Sequence, residues 1–265
     1  MHAKINGTTI HFVETGETQS PTVLFVHAFP LSSAMWGAQM EAAGHSHRCI
    51  AYDIRGLGHS EVGDGQYTIE GGVDDLIALL DYLDIERVVA VGLSMGGYIT
   101  LRALARNPER FQAAVLCDTR SEADDDAGKI GRANAAAAVK RDGADVFAES
   151  FLPTVFAPES FHTRPRAIEH ARHIVGMTSP LAIAGHLIAM AGRTDTTGSL
   201  ASIAVPTLIL VGENDTRTPH ASSRAMHERI PASELHVVPG AGHMSNMENP
   251  AFFNARLVDF LKAQG

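Results

Sequence analysis

The chain has 265 residues, 45% of them hydrophobic, and a formal charge of −9 at neutral pH. Such a length accommodates one large core, or a core carrying an inserted subdomain. An acidic balance with no basic stripe argues against a nucleic-acid partner, and no run of about 18 uninterrupted apolar residues marks a membrane helix. The amino terminus has no basic segment followed by an apolar run, so no signal peptide is read and a cytoplasmic setting is expected. Cys49 and Cys117 lie in or beside apolar runs and read as two buried thiols.

At the start of the chain, "KINGTTIHFVETG" reads as a hairpin turning at Asn6-Gly7 between alternating segments. Short, continuously apolar runs follow: "TVLFVH" (22–27), "RCIAYD" (48–53), "RVVAVGL" (87–93), "QAAVLC" (112–117), "PTLILVG" (206–212) and "ELHVVPG" (234–240). Runs of this kind are strands buried on both faces of a parallel sheet. Helical patterns lie between them. Val73, Leu76, Ile77, Leu80 and Leu83 recur at helical spacing, and "GGYITLRALARNPER" and "NPAFFNARLVDFLKAQ" are two more helices. Strands alternating with helices after an antiparallel start predict an α/β sheet covered on both faces.

The alternation stops near residue 119. From there to 206 no core strand is read, and Ala-rich and amphipathic helical segments are punctuated by Pro153, Pro158, Pro165 and Pro180. A structureless loop of that length is anomalous in a compact domain. The expected organisation is a core of residues 1–118 and 207–265 with a helical lid at 119–206. The acidic run Glu122–Asp126 reads as the solvated start of a helix, where carboxylates suit the dipole.

Chemistry enters at "VGLSMGGY" (91–98), where an apolar strand gives way to a helix. Gly92-x-Ser94-x-Gly96 in that setting predicts a sharp, strained turn that exposes the serine hydroxyl. A serine hydroxyl is a poor nucleophile near neutral pH, so a base, a group that orients the base and oxyanion donors are required. Asp215 lies just past the strand "LILVG", and His243 lies in a Gly-rich loop before the last helix. In the order Ser94, Asp215, His243, the histidine takes the serine proton and the aspartate fixes its tautomer. Asp118, at the end of "QAAVLC", is the rival acid. The oxyanion donors are expected to be the amides of Met95 and, in the loop His27-Ala28-Phe29-Pro30, of Phe29. His27 is read as a brace for that loop.

Taken together these motifs resemble the α/β-hydrolase superfamily along nearly the whole chain. "DIRGLGHS" (53–60) is similar to that family's D-x-R-G-x-G-x-S loop, "GLSMGG" to its elbow, "NPERF" to the end of the following helix and "GAGH" to its histidine loop. The stretch from Tyr67 to Tyr98 is most similar to small bacterial esterases and 3-oxoadipate enol-lactonases. The resemblance implies the α/β-hydrolase fold, a mostly parallel sheet of about eight strands. It also implies a serine hydrolase acting on a small carboxylic ester or lactone. No HExxH, CxxC pair or carboxylate cluster suggests a metal, no P-loop or GxGxxG suggests a nucleotide, and no cofactor is expected. Arg55 is read as structural by the same analogy. A carbon–carbon bond hydrolase of this fold and a slow-turnover ligand sensor with a retained triad stay open. The family usually carries His-Gly where this chain has His27-Ala28, and alanine resists backbone angles that glycine adopts.

Phe29, Trp36, Leu152, Phe156 and Met244, with Met95, are the expected pocket residues. Of the lid cations Arg132, Arg166 and Arg172, most are expected to be solvated. On that ground neutral esters are expected to be better substrates than carboxylated ones. Oligomeric state is not legible.

Overall fold

The computed structural model describes residues 1–264. Eight strands form one sheet in the order β1-β2-β4-β3-β5-β6-β7-β8. β1 (His2–Ile5) and β2 (Thr8–Thr15) form the hairpin, with Asn6 and Gly7 both in the left-handed region, as a two-residue turn of this type requires. β2 pairs antiparallel with β4 (Arg48–Tyr52), and from there outward every pairing is parallel. These strands are β3 (Thr22–Val26), β5 (Val88–Leu93), β6 (Phe111–Cys117), β7 (Thr207–Gly212) and β8 (Ser233–Val238). Every residue of β5 and β7 is buried, which is why their sequences lack the polar alternation of β2.

Helices supply the cover. α1 (Gly37–Ala43) packs with the last helix of the chain, and α2 (Ile69–Tyr82) packs with α3 (Met95–Arg106). Thr68 caps α2 by accepting a hydrogen bond from the Gly71 amide, and Val73, Leu76 and Leu80 turn inward. Between β6 and β7 stand α4 (Asp126–Asp142), α5 (Ala144–Val155), α6 (Ser160–Thr163), α7 (Pro165–Met177) and α8 (Pro180–Ala191). Pro165 and Pro180 open their helices, where a missing amide hydrogen does no harm, while Pro153 sits inside α5. α4 lies against α8 and α5 against α7. After β7 come α9 (His220–His227), α10 (Ser245–Glu248) and α11 (Pro250–Lys262). Among the described residues no single helix is long and apolar enough to cross a membrane.

Strand register positions the chemistry. Val26 pairs with Gly92, Leu93 with Cys117, Cys117 with Leu210, and Gly212 with Val238. The carboxyl ends of the parallel strands therefore lie along one edge, the usual place for a site in an open α/β sheet. The segments that follow carry Phe29, Ser94, Asp118, Asp215 and His243.

Candidate active site

Ser94 occupies the turn between β5 and α3 with φ 54° and ψ −112°, a backbone conformation that non-glycine residues rarely adopt. The surroundings hold it there. Its amide donates to the Cys117 carbonyl at 3.0 Å, and its carbonyl accepts from Thr119 Oγ1 at 2.9 Å. The flanking glycines are required by space. A Cβ on Gly96 falls 2.0 Å from the Val26 carbonyl oxygen, and one on Gly92 falls 2.5 Å from that of Gly96.

His243 comes within hydrogen-bond reach of both partners. Its Nδ1 lies 2.8 Å from Asp215 Oδ2 and its Nε2 lies 2.8 Å from Ser94 Oγ. A carboxylate only accepts, so the ring proton belongs on Nδ1, and the serine hydroxyl then donates to Nε2. Asp215 also accepts from the amides of Arg217 (2.8 Å) and Thr218 (3.0 Å) and from Thr218 Oγ1 (2.6 Å). Burial pushes its carboxyl up, but the His243 charge and these hydrogen bonds outweigh that and hold it below the usual carboxylate range.

Asp118, the rival, is fully buried and makes no hydrogen bond to the histidine. It accepts from the Gly212 amide at 2.8 Å and from Ser245 Oγ. Burial first, and the Asp215 charge second, push its carboxyl well above the ordinary range. Of the two carboxylates only Asp215 is hydrogen-bonded to His243.

The histidine loop is fastened by a residue that the sequence reading missed. Glu248, buried at the end of α10, accepts from the Gly242 amide at 2.9 Å and the Met244 amide at 3.2 Å. Its other oxygen accepts from the Ala157 amide at 2.8 Å and Ser160 Oγ at 2.6 Å, across in the helical segment. The Val155 carbonyl accepts from the amides of His243 and Met244. A buried Gly-rich loop whose amides have no strand partner needs an acceptor, and a glutamate five residues beyond the histidine was the available signal.

The amides of Met95 and Phe29 have no protein acceptor among the described residues. Met95 opens α3, where the first amide hydrogens of a helix point outward unsatisfied. His27 Nε2 accepts from the Ile54 amide at 2.9 Å, so its proton sits on Nδ1 and donates to the Ala28 carbonyl at 2.9 Å. Ala28 does not adopt a left-handed conformation, so the expected resistance of alanine is not encountered. Arg55 pairs with Asp75 through Nε at 2.5 Å.

Above Ser94 and His243 lies a cavity of about 470 Å³, walled by Phe29, Tyr98, Phe151, Val155, Leu187 and Met190, with Arg120, Arg132 and Arg217 also facing it. Another cavity, of about 430 Å³ beside β8 and α11, contains none of Ser94, Asp215 and His243. Of the expected pocket residues, Phe29 lines the active cavity and five do not. Trp36 is fully buried between Phe25 and Phe253, where ring packing in the core claims it. Leu152 and Phe156 turn into the core rather than toward Ser94, and Met95 and Met244 are likewise buried beside the residues that do face it.

The sequence matches the alpha/beta hydrolase family over residues 23–256. The chain belongs to that family. It is 30% identical to 3-oxoadipate enol-lactonase 2 of Acinetobacter baylyi, over 92% of this chain and 90% of the relative. Its structure is similar to a thermophilic esterase from Thermogutta terrifontis solved with malate bound, with a TM-score of 0.94, 34% identity and coverage of 99% and 97% of the two chains. It is also similar to the enol-lactonase from Burkholderia xenovorans, with a TM-score of 0.93, 29% identity and coverage of 99% and 100%. The protein is a hydrolase of the α/β fold.

In this α/β hydrolase two of the three named cations of the helical segment lie at the surface, as expected, and one does not. Arg166 is exposed, and Arg172 pairs with Glu149 and Glu169 at the surface. Arg132 instead faces the cavity. Asp124 also breaks the reading of its acidic run. Asp125 caps α4 and Asp126 is exposed, but Asp124 is buried among arginines. Its oxygens meet Arg120 at 2.5 Å, Arg193 at 2.9 Å, and Arg132.

Proposed function

We propose that this hydrolase cleaves a small carboxylic ester or lactone through an acyl-enzyme, with Ser94 as nucleophile, His243 as base and Asp215 as its orienting acid. The observation that supports this reading above the rest is the continuous chain from Asp215 Oδ2 through both nitrogens of His243 to Ser94 Oγ, each link 2.8 Å.

Ser94 Oγ attacks the carbonyl carbon as its proton passes to His243 Nε2. The carbonyl oxygen becomes an oxyanion facing the Met95 and Phe29 amides, each such donor being worth about 3 kcal/mol in comparable sites. Asp215 stabilises the imidazolium that forms, and the imidazolium then protonates the departing alkoxide. The carbonyl re-forms and leaves an ester on Ser94. Water gives its proton to His243, attacks that ester, and releases the acid while the proton returns to Ser94. Helices α4 to α8 act as a lid that excludes bulk water from these steps.

Ser94→Ala tests the reading. Hydrolysis of short aryl esters should fall by about three orders of magnitude or more with the fold retained, and a fluorophosphonate probe should label the wild type alone. Undiminished hydrolysis by the alanine variant would overturn the assignment. Turnover of a β-diketone without ester turnover would favour carbon–carbon cleavage by the same residues.

A further inference from the structure

The cavity beside Ser94 holds more positive charge than its own residues neutralise. Arg120 follows β6, Arg132 lies on α4 and Arg193 follows α8, yet all three converge on the single carboxylate of Asp124. Burial pushes that carboxyl up, but the Arg132 and Arg193 contacts prevail and hold it at about 2. Buried Nε atoms of Arg120 and Arg193 have no hydrogen-bond partner. Arg217 adds a fourth cation, with no carboxylate paired to it among the described residues. It comes from the loop that carries Asp215, lies 5.9 Å over the Phe151 ring, and faces the cavity. Arg217 as a residue keeps surface in solvent, while the protein around its charged end, and next the Arg132 charge, lower its pKa.

Like charges held together are an unfavourable arrangement that an anion relieves. This one stands inside a chain of net charge −9, which makes it a local inversion rather than a general surface property. Arginine's planar fork is suited to a carboxylate. The apolar walls of Phe151 and Leu187 also line the cavity and suit an aliphatic spacer.

We infer that Arg217, with Arg132 and Arg120, forms an anion subsite, and that the substrate carries a carboxylate remote from the bond cleaved at Ser94. This rests on the serine-hydrolase reading above and replaces the expectation that neutral esters are preferred. The apolar spacer lies along Phe151 and Leu187 while the scissile carbonyl meets Ser94.

The test compares the mono-4-nitrophenyl ester of glutaric acid with the 4-nitrophenyl ester of hexanoic acid, of similar size. Wild-type kcat/KM should favour the carboxylated ester at least about tenfold, or about 1.4 kcal/mol of transition-state binding. Arg217→Gln should lower that ratio at least about fivefold, Arg217→Lys should restore part of it, and added salt should reduce it. A ratio of one or less in the wild type, or a ratio untouched by Arg217→Gln, overturns the subsite. Calorimetric binding of glutarate to Ser94→Ala protein needs no turnover. Saturable binding that weakens when Arg217→Gln is added supports the subsite even if neither ester is cleaved, and then only the hydrolase reading fails. Hydrolysis of the neutral ester with no glutarate binding overturns the subsite and leaves that reading standing.

Discussion

Glu248 grips the chain on both sides of His243: one carboxylate oxygen accepts from the amides of Gly242 and Met244. Its other oxygen holds Ala157 and Ser160, so the histidine loop and the helical segment share one anchor. Glu248→Gln keeps the shape but turns one acceptor into a donor facing amide hydrogens. It should destabilise the protein by about 2 kcal/mol, lowering Tm by about 4–8 °C. Fluorophosphonate labelling of Ser94 should slow as His243 loses its fixed position. Labelling at the wild-type rate would show that the loop holds itself without Glu248.

The two buried aspartates separate by their contacts. Asp215→Asn removes the acceptor that fixes the His243 tautomer and should lower kcat by about four orders of magnitude. Asp118→Asn still has an oxygen for the Gly212 amide and an amide for Ser245 Oγ, so its loss should stay within about tenfold. Steady-state kinetics on both variants decide the matter, and a larger loss in the Asp118 variant would reverse the roles.

At the elbow the constraint is steric. Gly96→Ala puts a methyl group 2.0 Å from the Val26 carbonyl oxygen and 2.8 Å from that of His27, both backbone atoms of β3 and its loop. The strand or the helix must move, at a cost of about 3 kcal/mol or more. Thermal melts of this variant should show a large drop in Tm or no folded protein, and a wild-type Tm would contradict the tight elbow.

Acid should destabilise the fold in part through His186, a histidine outside the site and beside His27, whose own pKa burial also lowers. Burial holds His186 on α8 at about 4, below its ordinary 6.5, with Nε2 donating to the Arg55 carbonyl at 2.9 Å. The unfolded chain takes up this proton below about 6.5 and the folded chain only below about 4, so stability is complete above 6.5 and declines as pH falls toward 4. The loss is on the order of 3 kcal/mol across that window. Denaturant titrations at pH 7 and pH 5 should show about 2 kcal/mol of it, and His186→Gln should shrink the difference. An identical difference in the variant would assign the acid sensitivity elsewhere.

The strands and the order of Ser94, Asp215 and His243 were legible because each signal is local: an apolar run, then a turn residue at its end. Pocket residues were not. Whether Phe151 or Leu152 faces Ser94 depends on how α5 rotates against its neighbours, and a helical period fixes spacing without naming the face. Asp124 looked solvated because its three arginines come from separate segments, after β6, on α4 and after α8. Glu248 left little trace because three of its four partners are backbone amides, which every residue type but proline supplies.

Cleaving an ester always leaves an acid, and under the proposed function the newborn carboxylate would lie in a cavity that Arg120, Arg132 and Arg217 line. The same cations that favour capture of an anion oppose its departure. Under the proposed reaction, escape of the acid would limit turnover wherever it is slower than bond breaking. An accumulating acid product would then throttle the enzyme that made it, with no separate regulatory site.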